Sequence, residues 1–170
     1  LPLQWLLMRL EAYSLTAEMA QSERYQNTNF NKSISGYYSD LWNLGTEDEP
    51  IKSEYDPCPE GWRVPTYNEL KSLKQSRSDW TTNELDQSGY WLCGTRSYDD
   101  TAPQVFFPAA GWRQISSGIS YHCGVDGNYW SSEPADYNGN WATHLNFDDS
   151  YAGFVVHGRA YGHSVRCVQE

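Results

Sequence analysis

The chain has 170 residues, enough for one domain that buries about two thirds of its unfolded surface. Its formal net charge of -10 excludes DNA and RNA as expected partners, because nucleic-acid binding needs a cationic surface. The sequence contains no apolar run of about 18 residues, so we expect no direct membrane insertion.

The amino-terminal segment, Leu1 to about Tyr25, is predicted to form a helix. Apolar residues recur there at spacings of three and four, as on one face of a helix: Trp5, Met8, Ala12, Leu15 and Met19. We expect residues 1–35 to form a helical extension and a polar connector. The helix packs on its own domain or joins copies into a homo-oligomer, and the sequence leaves both alternatives open.

A second predicted helix follows a proline-rich segment. Residues 47–65 contain four prolines, which predicts an ordered loop. Thr66 and Glu69 then have the three-residue spacing of a capping box. We expect a helix from Thr66 to about Ser78, with Leu70 and Leu73 on its buried face.

The rest of the chain predicts strands, because its apolar runs are short and are bounded by Gly, Asn, Asp or Pro. The runs are GYWLCG at 89–94, QVFFPAAGW at 104–112, GNYWSS at 127–132, WATHLNF at 141–147, YAGFVVHG at 151–158 and HSVRCV at 163–168. Aromatic residues make up 15% of the chain, which also favours strands. The sequence therefore predicts an α+β domain with early helices and a small antiparallel sheet joined by long loops.

The four cysteines have no metal-binding spacing. Cys58, Cys93, Cys123 and Cys167 form no CxxC pair and no zinc-module pattern with histidine, so we expect no structural zinc. An even number suits disulfides in an exported protein. Buried free thiols are the alternative, and the spacing does not choose between them.

Four motifs, in this order, resemble a bacterial extracellular family, the Fibrobacter major paralogous domain. The motifs are YDPCPEGWRVPT at 55–66, FFPAAGWR at 106–113, YWSSEP at 129–134 and GHSVRCV at 162–168. That family is related to the C-type lectin-like fold of formylglycine-generating enzymes and of retroelement-diversified variable proteins. The resemblance implies a C-type lectin-like domain over residues 36–170, whose last strand draws the termini together.

The resemblance also implies structural roles for the residues in its motifs. Cys58 and Cys167 are expected to face each other and, if oxidised, to form a disulfide, whereas Cys93 and Cys123 lie outside the motifs. The implied framework residues are Trp62, Arg63, Pro65, Trp112, Trp130 and Arg166. Large rings of this kind dominate a small core by area.

Residues 121–163 have the composition of a recognition surface. They include all four histidines and five of the 13 tyrosines, and they lack Lys, Gln, Met and Ile. Tyrosine offers a large amphipathic face with two torsions to freeze, and small polar residues add adaptable hydrogen bonds. Tyr- and Gly-rich segments are also ordinary in loop-rich β domains, so composition alone leaves both alternatives open.

The resemblance favours recognition, because the carboxy-terminal part of diversified members is rewritten by adenine-directed mutagenesis. The framework residues that the resemblance implies in this carboxy-terminal part are Trp130, Ser131, Leu145, Phe147, Gly162, Ser164 and Arg166. Side chains alternate along a strand, so the neighbours of Leu145 and Phe147 should face outward. These neighbours are His144, Asn146 and Asp148. The predicted ligand contacts are Asp136, Tyr137, Asn138, Asn140, Trp141, His144, Asp148, Tyr151, His157, Tyr161 and His163.

Three other kinds of site have less support in the residues. A calcium lectin needs oxygen ligands where Ala135 follows Glu133-Pro134 and where Ala142 follows Trp141. A copper enzyme of the formylglycine-generating type needs a reactive cysteine pair, and no such motif surrounds Cys93 or Cys123. A zinc site needs only imidazoles that converge in space, and the candidate ligands for such a site are His144, His157 and His163.

We therefore expect a non-enzymatic ligand-binding protein of the receptor or adhesin type, without catalytic residues, cofactor or metal. Its expected partner is a protein or glycan on another cell or surface. Its expected location is extracellular, on a cell surface or a phage particle. A carbohydrate-binding adhesin that is not diversified, or a structural domain of a surface assembly, is the alternative.

Overall fold

The computed structural model describes residues 5–7, 42–74, 79–82, 88–93, 104–135 and 141–170. Within these ranges one short helix and several small antiparallel sheets form, which confirms the α+β prediction. The helix is α1, Tyr67–Lys74. The strands are β1 Trp5–Leu7, β2 Trp62–Arg63, β3 Asp79–Thr82, β4 Ser88–Cys93, β5 Gln104–Pro108, β6 Trp112–Arg113, β7 Ser120–Tyr121, β8 Gly127–Pro134, β9 Trp141–Phe147, β10 Ala152–Gly158 and β11 Arg166–Gln169.

The first and last strands lie side by side. β11 pairs with β1 on one edge and with β2 on the other, and Trp5 lies opposite Val168. The prediction of a helix is therefore wrong for Trp5–Leu7, because pairing with β11 outweighs the local apolar spacing. The remainder of the predicted helix and connector lies outside the described residues. The expectation that the last strand draws together the termini of residues 36–170 stays a prediction, because residues 36–41 lie outside the described residues.

Helix α1 begins at the predicted capping box. The Thr66 hydroxyl accepts a hydrogen bond from the Glu69 N–H at 3.2 Å, and the Glu69 carboxylate accepts one from the Thr66 N–H at 2.9 Å. Glu69 also binds Arg63 through two hydrogen bonds of 2.6 and 2.7 Å. The helix start is thus tied to β2, where Arg63 lies.

A second carboxylate holds the same helix start from another strand. Glu133, in β8, accepts hydrogen bonds from the Tyr67 N–H and from the Ser132 hydroxyl. Burial raises the pKa of Glu133, and these hydrogen bonds oppose that shift. Both of its oxygens are therefore engaged in the framework. This arrangement agrees with assigning Glu133 to a structural motif and not to a calcium site.

The sheet β10–β9–β8 separates two apolar clusters. One face packs against α1 and against the sheet β3–β4–β5, and its buried residues are Leu70, Leu73, Leu92, Phe107, Tyr129, Leu145 and Phe147. The other face carries Trp130 and Ala142, which pack with Val64, Val165 and the pair Cys58–Cys167. The predicted framework is thus buried at Trp130, Ser131, Leu145, Phe147, Gly162 and Ser164, and half-buried at Arg166.

The implied disulfide between Cys58 and Cys167 is confirmed. Their Cα atoms lie 5.9 Å apart and the bond joins residues 109 positions apart in sequence. The loop that carries Cys58 is ordered by Asp56, which accepts hydrogen bonds from the backbone N–H groups of Cys58 and Val64 and from Lys52. Lys52 also donates to the carbonyls of Cys58 and Trp62. No helix among the described residues is long and apolar enough to cross a membrane.

Candidate binding site: an aromatic surface above three histidines

Four half-exposed or exposed rings lie together beside the β6–β7 hairpin. Trp112 stacks on Tyr121 with ring centroids 5.2 Å apart, and Tyr161 stacks on His157 at 3.7 Å. The two stacks meet edge to face, with Trp112 5.5 Å from Tyr161 and 6.2 Å from His157. We call these four residues the surface cluster. Tyr121 keeps 38% of its surface exposed, and the others are half-buried.

Local backbone pairing holds the surface cluster in place. Trp112 and Tyr121 are direct partners across the β6–β7 ladder, so their rings share one face. Arg113 exchanges two backbone hydrogen bonds with Gly162, which brings the segment carrying Tyr161 to the hairpin. Gly111 lets the end of β7 lie close to the start of β6, because its φ is +68° and a Cβ there would clash with the Tyr121 carbonyl oxygen.

Three histidines continue the cluster into the interior. The ring of His157 lies 5.0 Å from that of His163, which lies 4.4 Å from that of His144. One ring nitrogen from each residue lies within 4.8 Å of those of the other two. We call these residues the histidine triad. Trp130 packs against it at 4.3 Å from the His163 ring and 5.4 Å from the His144 ring.

Burial keeps all three imidazoles of the triad neutral near pH 7. Burial, with a smaller contribution from the nearby His157, lowers the pKa of His144 to about 3, and the Val155 backbone opposes this shift. Burial and the charges of the other two histidines lower the pKa of His163 well below its usual range. Burial alone lowers the pKa of His157. Each ring therefore offers an unprotonated nitrogen.

A chain of hydrogen bonds fixes which nitrogen of His144 carries its proton. The Asp126 carboxylate can only accept, so the Asn128 amide NH₂ faces it, at 2.8 Å. The Asn128 Oδ1 then faces His144 Nε2 at 3.2 Å, and Nε2 must be the donor. His144 Nδ1 is left with a buried lone pair and makes no hydrogen bond of acceptable geometry, although the Val155 backbone lies near enough to the ring to oppose the fall in its pKa.

Two predicted contacts are corrected by their burial. His144 is 2% exposed and His163 is fully buried, so neither faces solvent. Side chains do alternate along β9, so His144 lies on the face opposite Leu145 and Phe147, but that face is covered at His144. The segment before β11 folds back across this face, since Ser164 pairs with Tyr129 and Trp130, which encloses His144 beneath His163.

The other predicted contacts fall on different parts of the surface. Tyr151 is 46% exposed and its hydroxyl end lies over Gly153, on the face that also bears Val155 and His157. Asp148 holds the β9–β10 turn by accepting from the Ser150 and Tyr151 N–H groups, which lower its pKa. Trp141 is also 46% exposed, but alternation places it on the opposite face of the sheet. Asp136, Tyr137, Asn138 and Asn140 lie outside the described residues.

Two members of the surface cluster were not predicted as contacts. Trp112 belongs to the FFPAAGWR motif, whose implied role is framework, and Tyr121 begins the recognition segment without being singled out. No sequence pattern shows that they stack, because the pairing depends on a two-residue ladder. The free thiol of the exposed Cys123 shows that this residue is not paired with Cys93.

Comparison with protein families identifies the chain. The family model described as the Fibrobacter succinogenes major domain matches residues 8–169, and the chain belongs to this family. The match begins upstream of the motifs that carry the resemblance. The predicted boundary between residues 35 and 36 lies among residues that the structure does not describe and stays a prediction. Comparison with curated proteins and with solved structures finds no match.

Proposed function

We propose that this chain is a non-enzymatic ligand-binding domain of the receptor or adhesin type, and that the surface cluster is the centre of its recognition face. We further propose that its α+β architecture is a C-type lectin-like fold. Among the described residues, the antiparallel pairing of β1 with β11 and the one early helix support that fold. The observation that carries the functional proposal is the group of four stacked, half-exposed or exposed rings, two of which are partners across the β6–β7 ladder.

Aromatic rings in this setting are suited to recognition. A half-exposed ring has apolar area to bury, and its position is already fixed by stacking, so little side-chain entropy is lost when a ligand binds. Trp and Tyr are also the residues that most often dominate measured binding energy. The stacks Trp112–Tyr121 and Tyr161–His157 combine both properties.

The recognition face extends along β10. Tyr151 and Val155 lie on the same side of the sheet as His157, and both are exposed. Tyr151 and His157 are six positions apart in sequence, which corresponds to about 20 Å between their backbones in an extended chain. A surface of that length suits a protein or an oligosaccharide on another cell better than a small metabolite.

We also propose that retroelement diversification, if it acts on this chain, alters the exposed positions only. Tyr151 and Tyr161 can change with little effect on the core, whereas His157 contacts the buried His163. His144 and His163 cannot, because each is enclosed against Trp130 and a change in volume there is felt by the whole packing. A reverse-transcriptase gene beside a near-identical repeat of the coding 3′ end would support the proposal.

We propose an extracellular location, on a cell surface or a phage particle, because the domain contains a disulfide. Bonds of this kind persist in oxidising compartments and are rare in the cytosol. The bond Cys58–Cys167 lies within an apolar cluster, so it is part of the folded interior.

A binding screen with matched variants tests the function. The domain is applied to a glycan array and to a displayed peptide library, each in calcium and in EDTA. Binding of any retained ligand should fall in Tyr161→Ala and Tyr151→Ala and persist in Trp141→Ala. The last variant removes an equally exposed aromatic ring from the other face of the sheet.

Two results would count against the proposal. One is binding that is lost in Trp141→Ala and kept in both tyrosine variants, since the recognition face would then be elsewhere. The other is a screen without any retained ligand, which favours a structural role in a surface assembly. Binding to a glycan only in calcium would favour the calcium-lectin alternative instead.

A further inference from the structure

We propose that the histidine triad is a binding site for a divalent transition-metal ion such as Zn²⁺ or Cu²⁺. The site would use one nitrogen each from His144, His157 and His163. This inference does not depend on the proposed recognition function, although His157 belongs to both the surface cluster and the histidine triad. It rests on three independent observations: the convergence of the rings, the buried nitrogens without partners and the hydrogen-bonded support of His144.

The first observation is the composition and spacing of the group. Imidazole nitrogen is a preferred ligand of zinc, copper and nickel. One ring nitrogen from each residue lies within 4.8 Å of those of the other two. His157 Nδ1 and His163 Nε2 are 2.9 Å apart. The three residues come from β9, from β10 and from the segment before β11, so only the fold brings them together.

The second observation is an unmet need for partners. The Nδ1 atoms of His144 and His163 are buried without a hydrogen bond, and a buried polar atom in this state costs about 1–3 kcal/mol. Between His157 and His163 one proton is shared, so His163 Nδ1 stays unpartnered whichever ring carries it. A metal ion would take the place of that shared proton and would use the lone pair of His144. The Nδ1 of His163 would then carry the proton of its ring and stay without a partner, so the unmet need that the ion answers is that of His144.

The third observation is the support behind His144. Metal-binding histidines usually donate their second ring N–H to an oxygen, which fixes the tautomer and the ring orientation. His144 Nε2 donates in this way to Asn128, which Asp126 orients. The nitrogen left for a metal is Nδ1, the atom that has no other partner.

Binding requires the rings to move closer. Zinc–nitrogen bonds of about 2.0–2.1 Å place tetrahedral ligand atoms about 3.3 Å apart, so the longest separation must shorten by about 1.5 Å. The rings must also turn from their stacked arrangement toward one point. His157 is the residue best placed to turn, because it is half-buried and lies near the end of the edge strand β10.

The proposed site is open. Among the described residues no cysteine or carboxylate joins the three histidines. A tetrahedral ion would therefore keep one position for water or for a donor atom from outside the chain. The chemistry of the site is that of an exchangeable three-histidine centre and differs from a closed structural zinc site.

Metal titration tests the proposal. The full chain is stripped with EDTA and titrated with zinc(II), and separately with copper(II), against a chromophoric competitor. We expect one ion per chain, and at least about tenfold weaker binding in His157→Gln and in His144→Gln, as for other losses from a metal site. His122→Gln is the matched control, since His122 is the histidine outside the triad, and its affinity should be unchanged.

A spectroscopic measurement on the chain without substitutions identifies the ligand atoms directly, so it does not depend on whether the variants fold. In the ¹⁵N spectrum of the zinc-loaded chain, we expect the signal of His144 Nδ1 to shift and that of His144 Nε2 to keep its proton. The proposal is overturned if neither ion binds stoichiometrically. It is also overturned if His122→Gln weakens binding as much as His157→Gln, or if both triad variants retain full affinity.

Discussion

Removing the buried disulfide should cost the domain a large part of its stability. The bond Cys58–Cys167 closes a loop whose ends are 109 residues apart. In the chain-entropy model a loop of about that length contributes about 4–5 kcal/mol at 25 °C. Natural domains of this size have a free energy of unfolding of about 5–15 kcal/mol, so the loss would be a major fraction of the total.

The assay compares equilibrium unfolding in urea for the wild type and for Cys58→Ala/Cys167→Ala. The control is Cys123→Ala, which removes an exposed free thiol and should leave the free energy of unfolding unchanged. If the double variant does not fold, the wild type is unfolded with and without a reductant. A difference below about 1 kcal/mol in either comparison would refute the chain-entropy argument for this loop.

Three further perturbations have defined outcomes. In EDTA, stability should fall as the pH drops below about 7.5, because the unfolded chain binds a proton at His144 that the folded chain does not bind until about pH 3. This residue alone accounts for about 1.6 kcal/mol between pH 6.5 and 5. The slope should become smaller when urea unfolding of His144→Gln is followed over the same range, and the remaining slope comes from His163 and His157, whose pKa values burial also lowers. An unchanged slope would contradict this assignment. Glu69→Ala should lower the free energy of unfolding by about 3 kcal/mol, because it removes a helix cap and leaves the buried Arg63 without its two hydrogen bonds to Glu69. Glu69→Gln should lower the free energy of unfolding by less. Equal losses in the two variants would contradict this account. Gly111→Ala should lower the free energy of unfolding by at least about 2 kcal/mol and change the fluorescence of Trp112, because the alanine Cβ would meet the Tyr121 carbonyl at a positive φ. An unchanged melting curve would show that the hairpin tolerates the strain.

The elements that sequence predicted correctly are those with local causes. The capping box Thr66–Glu69 is a contact between neighbours in sequence, and it starts the helix one residue after the predicted position. The longest strands, β8, β9 and β10, follow short apolar runs with clear boundaries. The four-motif resemblance also led to the disulfide Cys58–Cys167, which spacing alone left open.

The elements that sequence missed depend on pairing at a distance. Trp5–Leu7 has helical apolar spacing, yet it is a strand because β11 offers a free edge. The two-residue strands β6 and β7 carry too few residues for a periodic pattern. Alternation correctly assigned His144 to the face opposite Leu145, but it could not show that the segment before β11 covers that face. The same return of the chain brings His144, His157 and His163 together.

Hydrogen exchange of the domain bound to its ligand tests the central claim most directly. The claim is that the surface cluster and the outer side of β10 form the recognition face. With a ligand retained in the binding screen, we expect slower exchange in peptides that cover residues 112–121 and 151–161, and no change in residues 42–64. Protection confined to residues 42–64 would contradict the claim, because the stacked rings would then lie outside the interface.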